Sequence, residues 1–146
     1  MSAAEVWTPP DGEFRPMLGA RVHWVDFGGP AQPEALLVLV HGLGGSTVNW
    51  ESLVPRLIDR FQCVALDLAG FGLTEPGPRR GTVEDNTTLL EAFVAAVSAE
   101  HPNLRVVLVG NSMGGLICAR YASSRLGRMG AAATASSPVI AGVVLL

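Results

Sequence analysis

The sequence predicts an α/β fold, a mostly parallel sheet with helices on both faces, and three observations predict it. Continuous apolar runs of strand length recur at residues 35–40 (ALLVLV), 61–67 (FQCVALD), 105–110 (RVVLVG) and 139–146 (VIAGVVLL), as strands covered on both faces require. Stretches of helical period separate them, and that alternation implies parallel strands joined by crossovers. With 146 residues, 49% of them hydrophobic, the chain has the length and apolar content of one domain with a substantial core.

Taken in order, residues 1–20 read as an irregular N-terminal arm punctuated by Pro9, Pro10 and Gly12. ARVHWVDFG (residues 20–28) alternates apolar and polar residues, the pattern of a half-exposed strand. After the run at 35–40, Trp50, Leu53 and Leu57 recur at helical spacing, with Thr47 or Asn49 available as a cap and Pro55 marking an irregular first turn. The strand at 61–67 leads into LAGFGLTEPGPRRG, a loop dense in Gly and Pro. Thr82 opens the next helix, with Asp85 placed for a weak capping box and Leu89, Phe93 and Val97 on one face. His101-Pro102 ends it. The strand at 105–110 is followed by a helix, MGGLICARYASSRLG, then by GAAATASSP (residues 130–138), which has the composition of a flexible insertion, and by the last strand.

Composition excludes several function classes. Only 16% of residues are charged and the formal net charge is −3, so no basic stripe exists to neutralise phosphates, and nucleic acid is not an expected partner. Every basic residue is Arg, which removes lysine Schiff-base chemistry. The start of the chain lacks the pattern of a secretory signal and no apolar run approaches the ~20 residues of a membrane span, so a soluble, cytoplasmic location is expected. Cys63 and Cys118 lie in apolar stretches and read as buried free thiols without a function.

Three unusual loops fall at the carboxyl edge of this sheet, where open α/β sheets bind ligands: HGLGGS from His41, DLAGFGLTEP from Asp67, and GNSMGG from Gly110. Gly-x-Ser-x-Gly alone is expected about 0.1 times by chance in a chain of this composition, so its context decides. Together the three loops, each at the end of a predicted strand, resemble the α/β-hydrolase family, and the resemblance runs from about residue 21 to residue 146. It implies a nucleophile elbow at Ser112, with Gly110 and Gly114 at positions where the tight turn leaves no room for side chains. It also implies an oxyanion hole from the backbone N–H groups of Met113 and Leu43, with Gly44 as the competitor for Leu43. His41, with Gly42, is then a residue that shapes the oxyanion loop rather than the base, and Asp67 ties down the amides of its own Gly-rich loop rather than serving as the acid. His23 and His101 are placed away from the nucleophile. A helix N-cap would also suit Ser112, but explains neither the paired glycines nor the companion loops.

A serine hydroxyl needs a base and an acid that orients it. After Ser112 the sequence holds no Asp, Glu or His. The resemblance therefore implies that residues 21–146 are the N-terminal part of an α/β-hydrolase domain whose further strands, lid, acid and histidine lie outside this sequence, and that this chain alone is inactive. The expected activity of the complete protein is that of a serine hydrolase acting on an ester-like or related acyl bond of a small molecule, through an acyl-enzyme at Ser112, with no cofactor and no metal. Asn111-Ser112-Met113-Gly114-Gly115 also resembles the elbow of carbon–carbon bond hydrolases, and a non-catalytic binding domain of this fold is the remaining alternative. A serine in place of aspartate argues against dehalogenase and epoxide hydrolase chemistry.

Overall fold

In the computed structural model, residues 6–129 and 137–146 are described. Strand β1 (Glu13–Met17) pairs antiparallel with β2 (Ala20–Gly28), and the turn between them is made by Leu18 and Gly19, both at positive φ (49° and 78°). Such a turn suits the twist of a hairpin. The predicted irregular arm thus contains a strand. It was hidden because Pro16 sits in the strand, where only an edge position tolerates it, and because leucine is not a turn residue.

Strands β3 (Leu36–Val40), β4 (Gln62–Leu66), β5 (Val106–Gly110) and β6 (Ile140–Leu145) follow, with helices α1 (Val83–Glu100) and α2 (Met113–Met129) flanking β5. The sheet order is β1-β2-β4-β3-β5-β6, antiparallel at β1-β2-β4 and parallel from β4 through β3 and β5 to β6. The mostly parallel six-stranded sheet is the predicted architecture. All five residues of β3 and of β4 are buried, as continuous apolar runs demand.

Both α-helices lie on one face. Leu89, Leu90, Phe93, Val94 and Val97 of α1 and Ile117, Cys118 and Tyr121 of α2 pack with Val38, Val40, Leu66 and Leu108 in one core cluster. The opposite cluster joins Leu37, Leu39, Ala65 and Val109 to Trp50 and Val54. These last two belong to a pair of short 3-10 helices, Thr47–Trp50 and Val54–Arg56, and not to the continuous helix that the Trp50, Leu53, Leu57 spacing suggests. Pro55 has no N–H for an i−4 carbonyl, so the segment closes i→i+3 turns instead. Its cap is Ser46, whose hydroxyl accepts from Val48 N–H while Asn49 Oδ1 accepts from Ser46 N–H.

Two other expectations shift in the tertiary context. Strand β2 is not half-exposed: Val22, His23, Trp24 and Val25 are all buried, because α1 covers one side, with Trp24 edge-on to Phe93, and Trp7 of the arm meets Phe27 on the other. At α1, Thr82 Oγ1 accepts from Asp85 N–H as expected, but the Asp85 carboxylate accepts from Arg80 N–H, which holds its carboxyl below the usual carboxylate range. Most of the predicted insertion at 130–138 lies outside the described residues. Cys63 and Cys118 are free and buried, and burial pushes both thiols up to about 12.

Candidate active site

The site lies where β3 and β5, adjacent and parallel, end together. Asn111 N–H donates to Val40 O, so the loops that begin at His41 and Gly110 leave the sheet side by side. A Cβ placed on Gly42 would lie 3.2 Å from Ser112 Cβ, which puts the first loop against the predicted nucleophile.

Ser112 has φ +51°, one of two non-glycine residues in the left-handed region among those described. That conformation costs an L-residue roughly 1–3 kcal/mol and persists only where the surroundings impose it. Here the surroundings are tight. A Cβ on Gly110 would sit 2.5 Å from Gly114 O, and one on Gly114 would run into the carbonyls of Val40 and His41. Both glycines are therefore required by close backbone approach, as the sequence predicts. The N-cap alternative fails on two counts. A capping residue takes the β region, and Ser112 Oγ makes no hydrogen bond among the described residues.

Three backbone N–H groups of the two adjoining loops, those of Leu43, Gly44 and Met113, have no protein acceptor among the described residues, and Met113 heads α2, whose N-terminal partial charge favours an anion. Gly44 sits at φ +72°, a conformation that glycine adopts without strain, and Leu43 is 75% exposed. Against the 41–45 loop opens a cleft of about 450 Å³, lined also by Asn49, Trp50, Leu53, Asn111 and Leu146; Ser112 and Met113 adjoin Asn111 in sequence but do not line it.

His41 is fully buried and both ring nitrogens are occupied. Nδ1–H donates to Gly42 O at 2.7 Å and Nε2 accepts from Leu68 N–H at 2.9 Å, an arrangement that needs the neutral ring. Burial accordingly holds its pKa below the usual imidazole value. The ring links the 41–46 loop to the loop after β4, and it has no lone pair to offer a serine. Asp67 is also buried. Its Oδ2 accepts from Leu73 N–H in its own loop, as predicted, while Oδ1 accepts from Thr47 N–H and Oδ2 from His23 Nδ1–H, two partners that the sequence reading did not assign. His101 caps α1 ahead of β5, at the amino edge of the sheet. Another residue missed from sequence is Asn86. It is fully buried, and its Oδ1 accepts from Ala69 N–H, so it anchors the 67–74 loop to α1. The signal was there: Asn86 stands three residues before Leu89 on the apolar stripe, where a polar side chain requires a partner. No group of three or more potential metal-ligating side chains occurs among the described residues, and no helix among them is long and apolar enough to cross a membrane.

Comparison with known proteins bears on the fold that carries these loops. The family model for the alpha/beta hydrolase fold matches residues 35–143. A pimeloyl-[acyl-carrier protein] methyl ester esterase of Aeromonas hydrophila is 38% identical over 103 residues, covering 70% of this chain and 38% of that protein. A 2-hydroxy-6-oxo-6-(2'-aminophenyl)hexa-2,4-dienoic acid hydrolase of Metapseudomonas resinovorans is 33% identical over 90 residues, covering 60% of this chain and 29% of that protein. Among solved structures, a membrane phospholipase A described as a bacterial virulence factor superposes with a TM-score of 0.73 at 26% identity, over 92% of this chain and 38% of that one. The chain thus spans well under half the length of these relatives.

Proposed function

The chain belongs to the alpha/beta hydrolase fold family, and from that premise we propose that it carries the nucleophile and oxyanion half of a serine hydrolase acting on an ester-like bond of a small molecule. The observation that carries the reading is Ser112 held at φ +51° on the turn from β5 to α2, packed against the 41–45 loop at Gly42, with no hydrogen bond to its hydroxyl among the described residues. Ser112 Oγ attacks the acyl carbon, its proton passes to a base, and the developing oxyanion is received by Met113 N–H and by Leu43 N–H or its neighbour Gly44. His41, Gly42, Gly44, Asp67, Gly110 and Gly114 shape the loops that hold those groups. The leaving alkoxide takes the proton back from the base, and water then releases the acyl group by the same steps in reverse order.

Neither base nor acid is assigned within residues 1–146. His41 has both nitrogens engaged, His23 bonds Asp67, and His101 lies at the far edge. Both groups are therefore proposed to come from polypeptide beyond this sequence. The esterase relative supports ester hydrolysis. A second reading, cleavage of a carbon–carbon bond next to a carbonyl, is favoured by the Asn111-Ser-Met-Gly-Gly elbow and by the similarity to the hexadienoate hydrolase.

The test is covalent. A fluorophosphonate should label Ser112 in a form of the protein that includes the base, and Ser112→Ala should abolish labelling without unfolding the chain. A folded, unlabelled protein, or a label at another residue, would refute the assignment. Hydrolysis of p-nitrophenyl esters against cleavage of a vinylogous β-diketone separates the two readings.

A further inference from the structure

Three N–H donors converge on the buried carboxylate of Asp67, and they come from three different parts of the chain. Thr47 N–H reaches Oδ1 at 2.7 Å, while Leu73 N–H at 2.9 Å and His23 Nδ1–H at 2.8 Å reach Oδ2. Thr47 begins the 3-10 helix that continues the oxyanion loop, and Leu73 lies in the loop that follows β4. Only His23 lies on a regular strand, β2, between β1 and β4. The main chain reinforces the link: Asp67 N–H donates to His23 O, and His23 N–H donates to Thr74 Oγ1, so His23 holds both ends of the 67–74 loop.

We infer that His23 is a positioning residue of this site: its Nδ1–H fixes the orientation of the Asp67 carboxylate, which in turn holds the oxyanion loop at Thr47 and the adjoining loop at Leu73. Two of the three donors are main-chain amides outside the sheet, at the first residue of the 3-10 helix and in the 67–74 loop, which the carboxylate itself ties down, so they do not set its orientation. The strand-borne imidazole can, because rigid elements hold polar groups more accurately than loops do. Asp67 is 1% exposed and accepts only, so Nδ1 must carry the proton. The ring itself is held between Gly12, where a Cβ would strike Nε2, and Phe14, whose ring centroid is 5.2 Å away. Gly72 completes the fit, since a Cβ there would collide with the Asp67 carboxylate. The catalytic consequence, a displaced oxyanion loop when the clasp fails, rests on the function proposed above; the clasp does not.

The experiment therefore reads the clasp directly. His23→Leu removes the donor and fills much of the ring's volume, whereas His23→Asn keeps an N–H near the place of Nδ1. Amide hydrogen exchange is followed at Thr47 and Leu73, with β5 amides as the internal control. His23→Leu should speed exchange at Thr47 and Leu73 about tenfold or more and leave β5 unchanged, and His23→Asn should stay near wild type. Unchanged rates at Thr47 and Leu73 in His23→Leu would overturn the inference, as would uniform acceleration that includes β5 in both variants, which is the behaviour of a core filler. Nitrogen-resolved NMR of the wild-type ring gives a check that needs no variant: the proton must reside on Nδ1, and an Nε2–H tautomer refutes the clasp. None of these readouts uses Ser112, so a failed fluorophosphonate label counts against the nucleophile and not against His23. Where labelling succeeds, its rate should fall about tenfold in His23→Leu and recover in His23→Asn, because small displacements at a reacting centre are costly.

Discussion

At Ser112 the backbone conformation and the chemistry conflict with the usual preference of an L-residue, and the conflict can be measured. Even at an ordinary helix N-cap glycine costs less than alanine, and at φ +51° the gap should widen, because glycine adopts that conformation without a Cβ penalty. Ser112→Gly should therefore be about 1 kcal/mol more stable than Ser112→Ala in urea denaturation, and equal stabilities would show that the elbow is unstrained in solution. His41 gives a second prediction at this scale. Its pKa is lowered in the folded chain, so the unfolded chain binds the extra proton first as pH falls. The stability that neutral His41 contributes is complete above the unfolded value near 6.5 and is lost as pH falls from there toward the lower folded value. With His23→Asn and His101→Asn removing the other two histidines, the melting temperature should still drop between pH 7 and pH 5. A flat profile would mean that the His41 ring tolerates protonation, contrary to its acceptance of Leu68 N–H.

Among the elements, α2 sets a sharp contrast between glycines of one helix. Gly114 in its first turn lies against the carbonyls of Val40 and His41, so even a methyl group must push β3 and the elbow apart. Gly127 in the last turn has nothing within 4 Å of an added Cβ. Gly127→Ala should stabilise the chain by about 0.5–1 kcal/mol, the ordinary helix-propensity gain. Gly114→Ala should destabilise it by about 2 kcal/mol or more, as forced overpacking against backbone does. Thermal melts of the two variants check both signs. The 3-10 segment shows the limit of periodicity at this scale. Apolar residues at helical spacing place Trp50 and Val54 on the core, but Pro55 decides that the backbone is not an α-helix.

Taken as a whole, the molecule has unequal sheet edges. β1 is short, carries Glu13, Arg15 and Pro16, and pairs Arg15 with Glu100, features that discourage strand addition. β6 pairs with β5 alone among the described strands, Val144, Leu145 and Leu146 are exposed, and residues 137–146 contain no charged side chain. An apolar edge of that kind is an association site. The 146-residue polypeptide should self-associate in sedimentation velocity with increasing concentration, and Val144→Lys should shift it toward monomer. A monomeric wild type at high concentration would show that the edge is protected in solution.

What the sequence determined by itself is local. Apolar runs determined β3, β4 and β5, because a strand buried on both faces leaves a pattern in consecutive residues, and the run at 139–146 marked β6 although none of that strand's residues is buried. The tight turn at Ser112 was equally legible, since Gly110, Ser112 and Gly114 meet their backbone constraint within five residues. The tertiary structure decided whatever depends on partners distant in sequence. Thr47, Leu73 and His23 converge on Asp67 from separations of 20, 6 and 44 residues, and Asn86 reaches Ala69 across 17. A buried polar group must find its hydrogen bond wherever the fold brings one, and the spacing of residues along the chain does not record which donor that is.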